Sequence, residues 1–223
     1  MATPDVRERL VEAAFALFEE QGFEHTTVDD IAERAGVGRS TVFRTYRTKE
    51  DLIFPDHERL LERIRDRLAT STDENGIVGV TEAVRLVLDH YVQEGDRARQ
   101  RYRLTSTVPS LRNREIASVA RYQRLFREFI GRWSGAADET GLMAELMAAA
   151  VVAAHNHVLR RWLREDITQP FREVDAALDA VIRLFPAPGQ GLPEVEDTTV
   201  LVFRTSSSMD TVAATLRRHL GDN

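Results

Sequence analysis

A glycine-centred turn, Gly36-Val37-Gly38, most constrains how this chain can fold, because the segments beside it are too short to stand as isolated helices. Before the turn, Thr27 is placed to cap a helix whose first turn carries Asp29 and Asp30, where the helix dipole favours negative charge. Ile31, Ala32 and Ala35 form its inward face, Gly36 ends it, and Val37 is the apolar residue inside the turn. After the turn, a third helix is predicted over about Arg39–Tyr46. A connection this short sets two helices at a steep angle, as a helix-turn-helix requires.

The flanks agree with this pattern. Upstream, Thr3 can cap a longer helix with Pro4 at its first position. Val6, Leu10, Ala13, Ala14, Leu17 and Phe18 recur on one face, Gly22 supplies a stop, and Phe23 follows as the apolar residue beyond it. Downstream, Thr48 and Asp51 form a variant of the capping box at the start of a fourth helix. The third helix begins with polar residues, so its N-terminal end can enter a DNA major groove.

Charge complicates that expectation. The chain carries a net charge of −6, and residues 1–50 hold ten acidic side chains against seven basic ones. The signs are separated, however: Ala35–Lys49 contains four positive residues and no negative one. Phosphate contacts depend on the local surface, so a positive strip inside an acidic segment suffices. Arg39, Thr41 and Arg44, with Ser40, are the candidates for reading bases, since arginine pairs bidentately with guanine and hydroxyls contact several base edges. Thr27, Tyr46, Arg47 and Lys49 are the candidates for holding the DNA backbone, Thr27 and Lys49 at helix N-termini whose amides suit a phosphate.

Beyond residue 50 the pattern stays helical. Pro55 predicts a break near Phe54, followed by a helix through about Leu68 with Leu60, Leu61, Ile64 and Leu68 on one face. Ser71–Gly79 reads as a linker. Helices are predicted over Val80–Gly95, Arg97–Tyr102, Asn113–Trp133, Leu142–Leu163 and Val174–Phe185, with loops at Thr105–Ser110 and Ser134–Thr140. In the helix from Asn113, the inward residues are Ile116, Val119, Tyr122, Leu125, Phe126 and Phe129. The tail differs: a Pro/Gly linker from Pro186, a β-type run at Thr198–Thr205, and helical spacing over Ser208–Leu220. The strand either pairs with its copy from another subunit, adds to a neighbouring element, or belongs to a partly ordered appendix.

Several classes of chemistry lack support. There is no cysteine, which excludes disulfides and thiolate ligands. His155 and His157 are two apart on a helix, roughly 200° around its axis, so they do not converge on one metal; a buried or pocket-edge histidine is the better reading. No Gly-rich phosphate loop and no nucleophile motif stand out, so neither an enzyme nor a cofactor is expected. No run approaches the roughly 18 apolar residues of a membrane span, and the charged N-terminus does not suit a signal peptide, so a cytoplasmic location is expected.

The segment Thr26–Leu52, TTVDDIAERAGVGRSTVFRTYRTKEDL, closely resembles the TetR family of bacterial regulators. The likeness lies in the Thr before helix two, the IA…AGV turn, the polar start of helix three, an aromatic pair three apart, and Lys followed by Glu-Asp-Leu. It departs at the aromatic pair, where the family usually has Tyr then Phe and this chain has Phe43 then Tyr46. Phe43 cannot hydrogen-bond a phosphate; Tyr46 either takes over that contact or faces the core with its hydroxyl at the edge.

The resemblance implies an all-α homodimer with a helix-turn-helix domain, over 1–50, and a ligand-binding and dimerisation domain, over 51–185; the composition of 186–223 marks it as a C-terminal extension with a short strand and helix. It implies operator DNA as a partner and control by a small effector that shifts the protein between two spacings of its DNA-reading heads. Repression is expected more than activation. The effector pocket is expected between the helices of residues 80–160, lined by Val87, Tyr91, Leu104, Leu111, Tyr122, Phe126 and Met147. Dimerisation is expected through 142–163 and 171–184, with Trp162 and Phe171 as anchors. Arg97–Arg132 holds ten arginines against two acids, which suits either a solvated, ion-paired face or an anionic effector. WLRED and TSTVPSLRNRE resemble an acyl-responsive branch of the family, which implies a fatty acyl-CoA. The rival reading, favoured by the net-acidic head and Phe43, is a small-molecule sensor or assembly protein of the same fold that does not bind DNA specifically.

Overall fold

The computed structural model describes residues 5–54, 57–72, 76–133 and 139–185, all within one compact unit, Met1–Ala187. These residues form nine α-helices: α1 (Val6–Gln21), α2 (Val28–Arg34), α3 (Arg39–Thr45), α4 (His57–Ala69), α5 (Gly76–Glu94), α6 (Asp96–Thr107), α7 (Pro109–Trp133), α8 (Glu139–Leu163) and α9 (Pro170–Leu184). A single 3-10 turn, Lys49–Leu52, links the third and fourth. Thr3, Pro4, Pro55 and the whole predicted C-terminal extension lie outside the described residues.

The expected boundaries hold where capping chemistry is local and shift where proline begins a helix. Asp5, not Thr3, is the residue at the N-cap of α1. Gly76–Gly79, expected in a linker, is already the first turn of α5. The expected loop at Thr105–Ser110 is reduced to one extended residue, Val108, between α6 and α7. Pro109 opens α7 instead of interrupting a loop, because its missing N–H costs nothing at a first helical position. Pro170 opens α9 in the same way, four residues ahead of the predicted start. Ile116, expected to face inward, is 60% exposed.

Two apolar clusters organise the chain. The first, within the N-terminal helices, gathers Leu10, Ala14, Phe15, Phe18, Ile31, Val42, Leu52 and Ile53, and includes Leu111 from α7. The second is the body core, built from Leu60, Leu61 and Ile64 of α4, Val80, Val84 and Leu88 of α5, Phe126 of α7, Ala148 and Val151 of α8, and Val174 and Leu178 of α9. Gly141–Leu163 is long and apolar enough by composition to cross a membrane, contrary to the expectation that no such segment exists. Here it packs between α7 and α9 as the central helix of the body. Its Ala144, Ala148, Val151 and Val158 are buried there.

Candidate DNA-binding face and ligand cavity

The turn between α2 and α3 is held from three sides. Gly36 has φ +65°, a conformation that L side chains rarely adopt, and its N–H donates to Glu33 O at 3.0 Å. Val37 N–H donates back to Ala32 O at 3.0 Å, and Arg9 of α1 donates to Ala35 O at 3.1 Å. Only Val42 of α3 is fully buried. Arg39, Ser40, Phe43 and Arg44 are exposed and Thr41 is half-buried, so α3 rests on one apolar contact and turns its other faces outward.

The expected DNA contacts do not all stand ready in the same way. Arg39 forms an ion pair with Asp29 of α2 at 2.7 Å and lies over the Phe43 ring at 5.4 Å. Thr27 and Asp30 complete a capping box: Asp30 N–H donates to Thr27 Oγ1 at 3.2 Å and Thr27 N–H donates to Asp30 Oδ2 at 2.8 Å. Those two amides are therefore already engaged at the start of α2, although the Thr27 hydroxyl is exposed. Asp51 likewise accepts from the backbone of Arg47 at 3.0 Å and of Thr48 at 2.9 Å. Lys49 turns inward: its ammonium donates to Phe23 O at 2.8 Å and Thr26 O at 3.2 Å, and it lies 4.2 Å from the Phe23 ring centroid. Tyr46 packs against the head core with Arg7 over its ring at 5.7 Å, while Phe43 is 45% exposed.

A second candidate site lies in the body. A cavity is walled by Val84, Val87 and Tyr91 of α5, Arg101 of α6, Glu115, Ser118, Val119, Tyr122 and Phe126 of α7, and Val152, His155, Asn156 and Leu159 of α8. Phe54, from the segment after the 3-10 turn, closes one side. Of the candidates for an effector site, Val87, Tyr91, Tyr122 and Phe126 line this cavity. Leu111 does not line it: it is fully buried in the head core, because the α6–α7 corner packs against that cluster. Leu104 packs against the same cluster. Met147 is buried in the body core rather than on the cavity wall.

Arg101 was not legible from the sequence, being one of ten arginines in its segment. It is buried, and each of its guanidinium nitrogens is hydrogen-bonded: Nε donates to Ile53 O at 2.5 Å and the two terminal nitrogens pair with the two Glu94 oxygens at 2.7 Å. Burial pushes the Glu94 carboxyl up, but the hydrogen bonds and charge of Arg101 win and hold it below the usual range. The Tyr91 hydroxyl is pushed up to about 12 by burial. Other arginines of the basic segment are also engaged: Arg99 with Asp96, Arg114 with Asp51, Arg112 with Ser106 O and Arg132 with Glu128 O. Trp162, expected at a dimer interface, is 7% exposed inside the subunit, with Arg99 over its ring at 4.7 Å. Phe171 is half-buried beneath Arg85.

Comparison with known proteins agrees with this architecture. The family model for bacterial regulatory proteins of the tetR family matches residues 10–54, and the model described as the MftR C-terminal domain matches residues 75–186. MftR of Mycobacterium tuberculosis, assigned to the regulation of mycofactocin biosynthesis, is 26% identical over 171 residues, covering 76% of this chain and 86% of that protein. The regulator TcmR of Streptomyces glaucescens is 32% identical over 127 residues, covering 56% of each. The fold is shared with SmeT, solved as a triclosan complex, at a TM-score of 0.60 and 18% identity, covering 88% of this chain and 99% of SmeT. It is shared also with the fatty acid degradation regulator FadR of Bacillus halodurans, at a TM-score of 0.57 and 18% identity over 82% of this chain and 97% of that one. The head profile, the body profile and the nine-helix arrangement converge, and the chain belongs to the TetR family of bacterial transcriptional regulators.

Proposed function

We propose that this regulator is a homodimeric, effector-controlled repressor acting in the cytoplasm. It reads operator DNA with Arg39, Ser40, Thr41 and Arg44 and grips the backbone with Thr27, Tyr46 and Arg47. Phe43, exposed beside Arg39, suits an apolar contact such as a thymine methyl. Lys49 serves mainly to fix the start of the 3-10 turn against Phe23 and Thr26, and only secondarily as a phosphate contact. The observation that carries the reading is the hydrogen bond from Arg101, on the cavity wall, to Ile53 O, in the head core. A ligand that displaces the α6 wall therefore pulls directly on the segment that follows the DNA-reading helices.

The effector is a small apolar or amphipathic molecule, given the aromatic and aliphatic walls. A fatty acyl-CoA is the long-chain candidate to test, its acyl chain against Val84, Val87 and Phe126. Dimerisation is assigned to the outer faces of α8 and α9, where Leu142, Leu146 and Leu184 are 63%, 47% and 72% exposed. The test is fluorescence anisotropy of the full chain on the DNA upstream of its own gene, against scrambled DNA, over a salt series. Tight binding to the first, weakened by effector, is expected. Equal affinity for both DNAs would instead support a non-DNA sensor of the same fold, a reading favoured by Asp29 and Asp30 beside α3.

A further inference from the structure

The polar groups around the body cavity are unequally satisfied. Arg101, the only arginine or lysine among the described residues of the wall, has each guanidinium nitrogen hydrogen-bonded, to Glu94 or to Ile53 O. Ser118 Oγ donates to Arg114 O at 3.0 Å. His155 differs: its ring is 7% exposed, Nδ1 lies 3.2 Å from Asn156 Oδ1, and Nε2 is buried with no hydrogen-bond partner. Because the amide oxygen of Asn156 accepts, Nδ1 carries the ring proton and Nε2 presents a lone pair. Burial drives the ring towards its neutral form, to a pKa of about 4, so the lone pair is available at neutral pH. A buried acceptor without a donor is unfavourable until something supplies one.

The geometry points to a ligand class: an uncharged, mainly apolar molecule bearing one hydroxyl or N–H group that donates to Nε2 of His155. The inference rests on the reading of this cavity as the effector site and narrows what that site accepts, which sets it against the fatty acyl-CoA candidate, whose acyl chain carries no donor. Carboxylates and phosphates are selected against inside the cavity, because its cation is already neutralised and Glu115 adds a negative charge to the wall. An apolar molecule with no donor fills the same space but leaves Nε2 unpaired. Donor-bearing ligands therefore outbind matched donor-free ones wherever the apolar part lets the donor reach Nε2.

Two matched series test this by calorimetry on the full chain without DNA: 1-decanol, decyl methyl ether and decanoate; and 4-phenylphenol, 4-methoxybiphenyl and biphenyl-4-carboxylate. In at least one series the hydroxyl compound is expected to bind about tenfold more tightly than its ether, the worth of one buried hydrogen bond, and more tightly than its carboxylate. In His155→Leu the advantage over the ether should vanish while ether binding stays. Asn156→Asp, which still accepts from Nδ1, should preserve it. Nitrogen-15 spectra of the unmodified protein supply a readout that needs no variant: the His155 Nε2 signal should move on adding the hydroxyl compound and not on adding the ether. Equal binding of hydroxyl and ether, tightest binding of a carboxylate, an unmoved Nε2 signal, or no binding in either series overturns the inference. Because DNA is absent, hydroxyl-selective binding that leaves operator affinity unchanged would count against the effector reading and leave the ligand class standing.

Discussion

Replacing Arg101 with methionine isolates the contact that joins cavity to head. The side chains of Arg101 and Glu94 are 6% and 17% exposed, so the pair sits largely out of water. Removing one partner of a buried pair strands the other, at a cost of about 3–5 kcal/mol. Ile53 O also loses its donor, and an unsatisfied buried carbonyl costs about 1–3 kcal/mol. Water entering the vacated space offsets part of this, so we expect Arg101→Met to lose about 4 kcal/mol at pH 7, a large share of a typical domain's stability. Adding Glu94→Leu should restore most of the loss, since no charge is then left alone.

The pH dependence supplies a sharper check. In the unaltered protein Glu94 is held below the usual range, so its contribution to stability is present above about pH 4.5, its unfolded value, and fades as pH falls through the folded one. Without Arg101, burial works against only the weaker pull of His90 and Arg97, and the folded value rises above the unfolded one. The deficit of Arg101→Met should therefore shrink between pH 7 and pH 5, while the other carboxylates shift both proteins alike. Urea unfolding followed by circular dichroism at the two pH values measures this. A deficit under about 1 kcal/mol at pH 7, a double variant no more stable than the single one, or a deficit that grows on acidification would refute the reasoning.

Other perturbations probe the two candidate sites and the dimer face. Arg44→Ala should weaken operator binding by about 1–3 kcal/mol, read by anisotropy, and relax the base preference at one position if that side chain reads a base. Asp29→Asn releases Arg39 from its 2.7 Å pair and removes a negative charge beside α3, so DNA affinity should rise, on the order of threefold, with a gain that fades at high salt. An unchanged or lower affinity would mean that Asp29 positions Arg39 for DNA instead of holding it back. Leu142→Glu with Leu146→Glu should shift the molar mass by light scattering towards the monomer, with little change in helicity. In His155→Leu the unfolding free energy should fall less steeply with acid: the folded histidine is depressed to about 4 from 6.5, so the unaltered protein loses up to about 3 kcal/mol relative to the variant across that window. Parallel pH profiles would show that His155 escapes burial.

What the sequence discloses of such a chain depends on how local the determining interaction is. The helix-turn-helix was readable because its signals lie within a few residues: the Thr27–Asp30 capping box, the φ +65° at Gly36, and the apolar positions Ile31 and Val42. Tyr122 and Phe126 were readable as wall residues from helical spacing. Leu104 and Leu111 have the same spacing yet belong to the other core, because Pro109 begins α7 one residue after α6 ends and the corner so formed enters the head. Nothing in the alternation of apolar residues says which of two cores a helix end will fill. Arg101 was hidden for a similar reason: its partners Glu94 and Ile53 O are a residue on the preceding helix and a backbone atom 48 positions away.

That hidden geometry alters how the two parts of the chain are related. A division at residue 50 treats the head as a separate domain. Leu52 and Ile53 lie beyond that boundary and are fully buried in the head core, and Leu111 joins them from the middle of the body. With α7 contributing to both cores, α6 cannot shift along the cavity wall without carrying the Val108 corner and Leu111 against α1. Phe54 makes the link shorter still, since it packs against the head cluster and walls the cavity at once. Coupling between ligand and DNA-reading face then needs no long pathway: the carbonyl of Ile53, the ring of Phe54 and the side chain of Leu111 place the head core in direct contact with the elements a ligand would move.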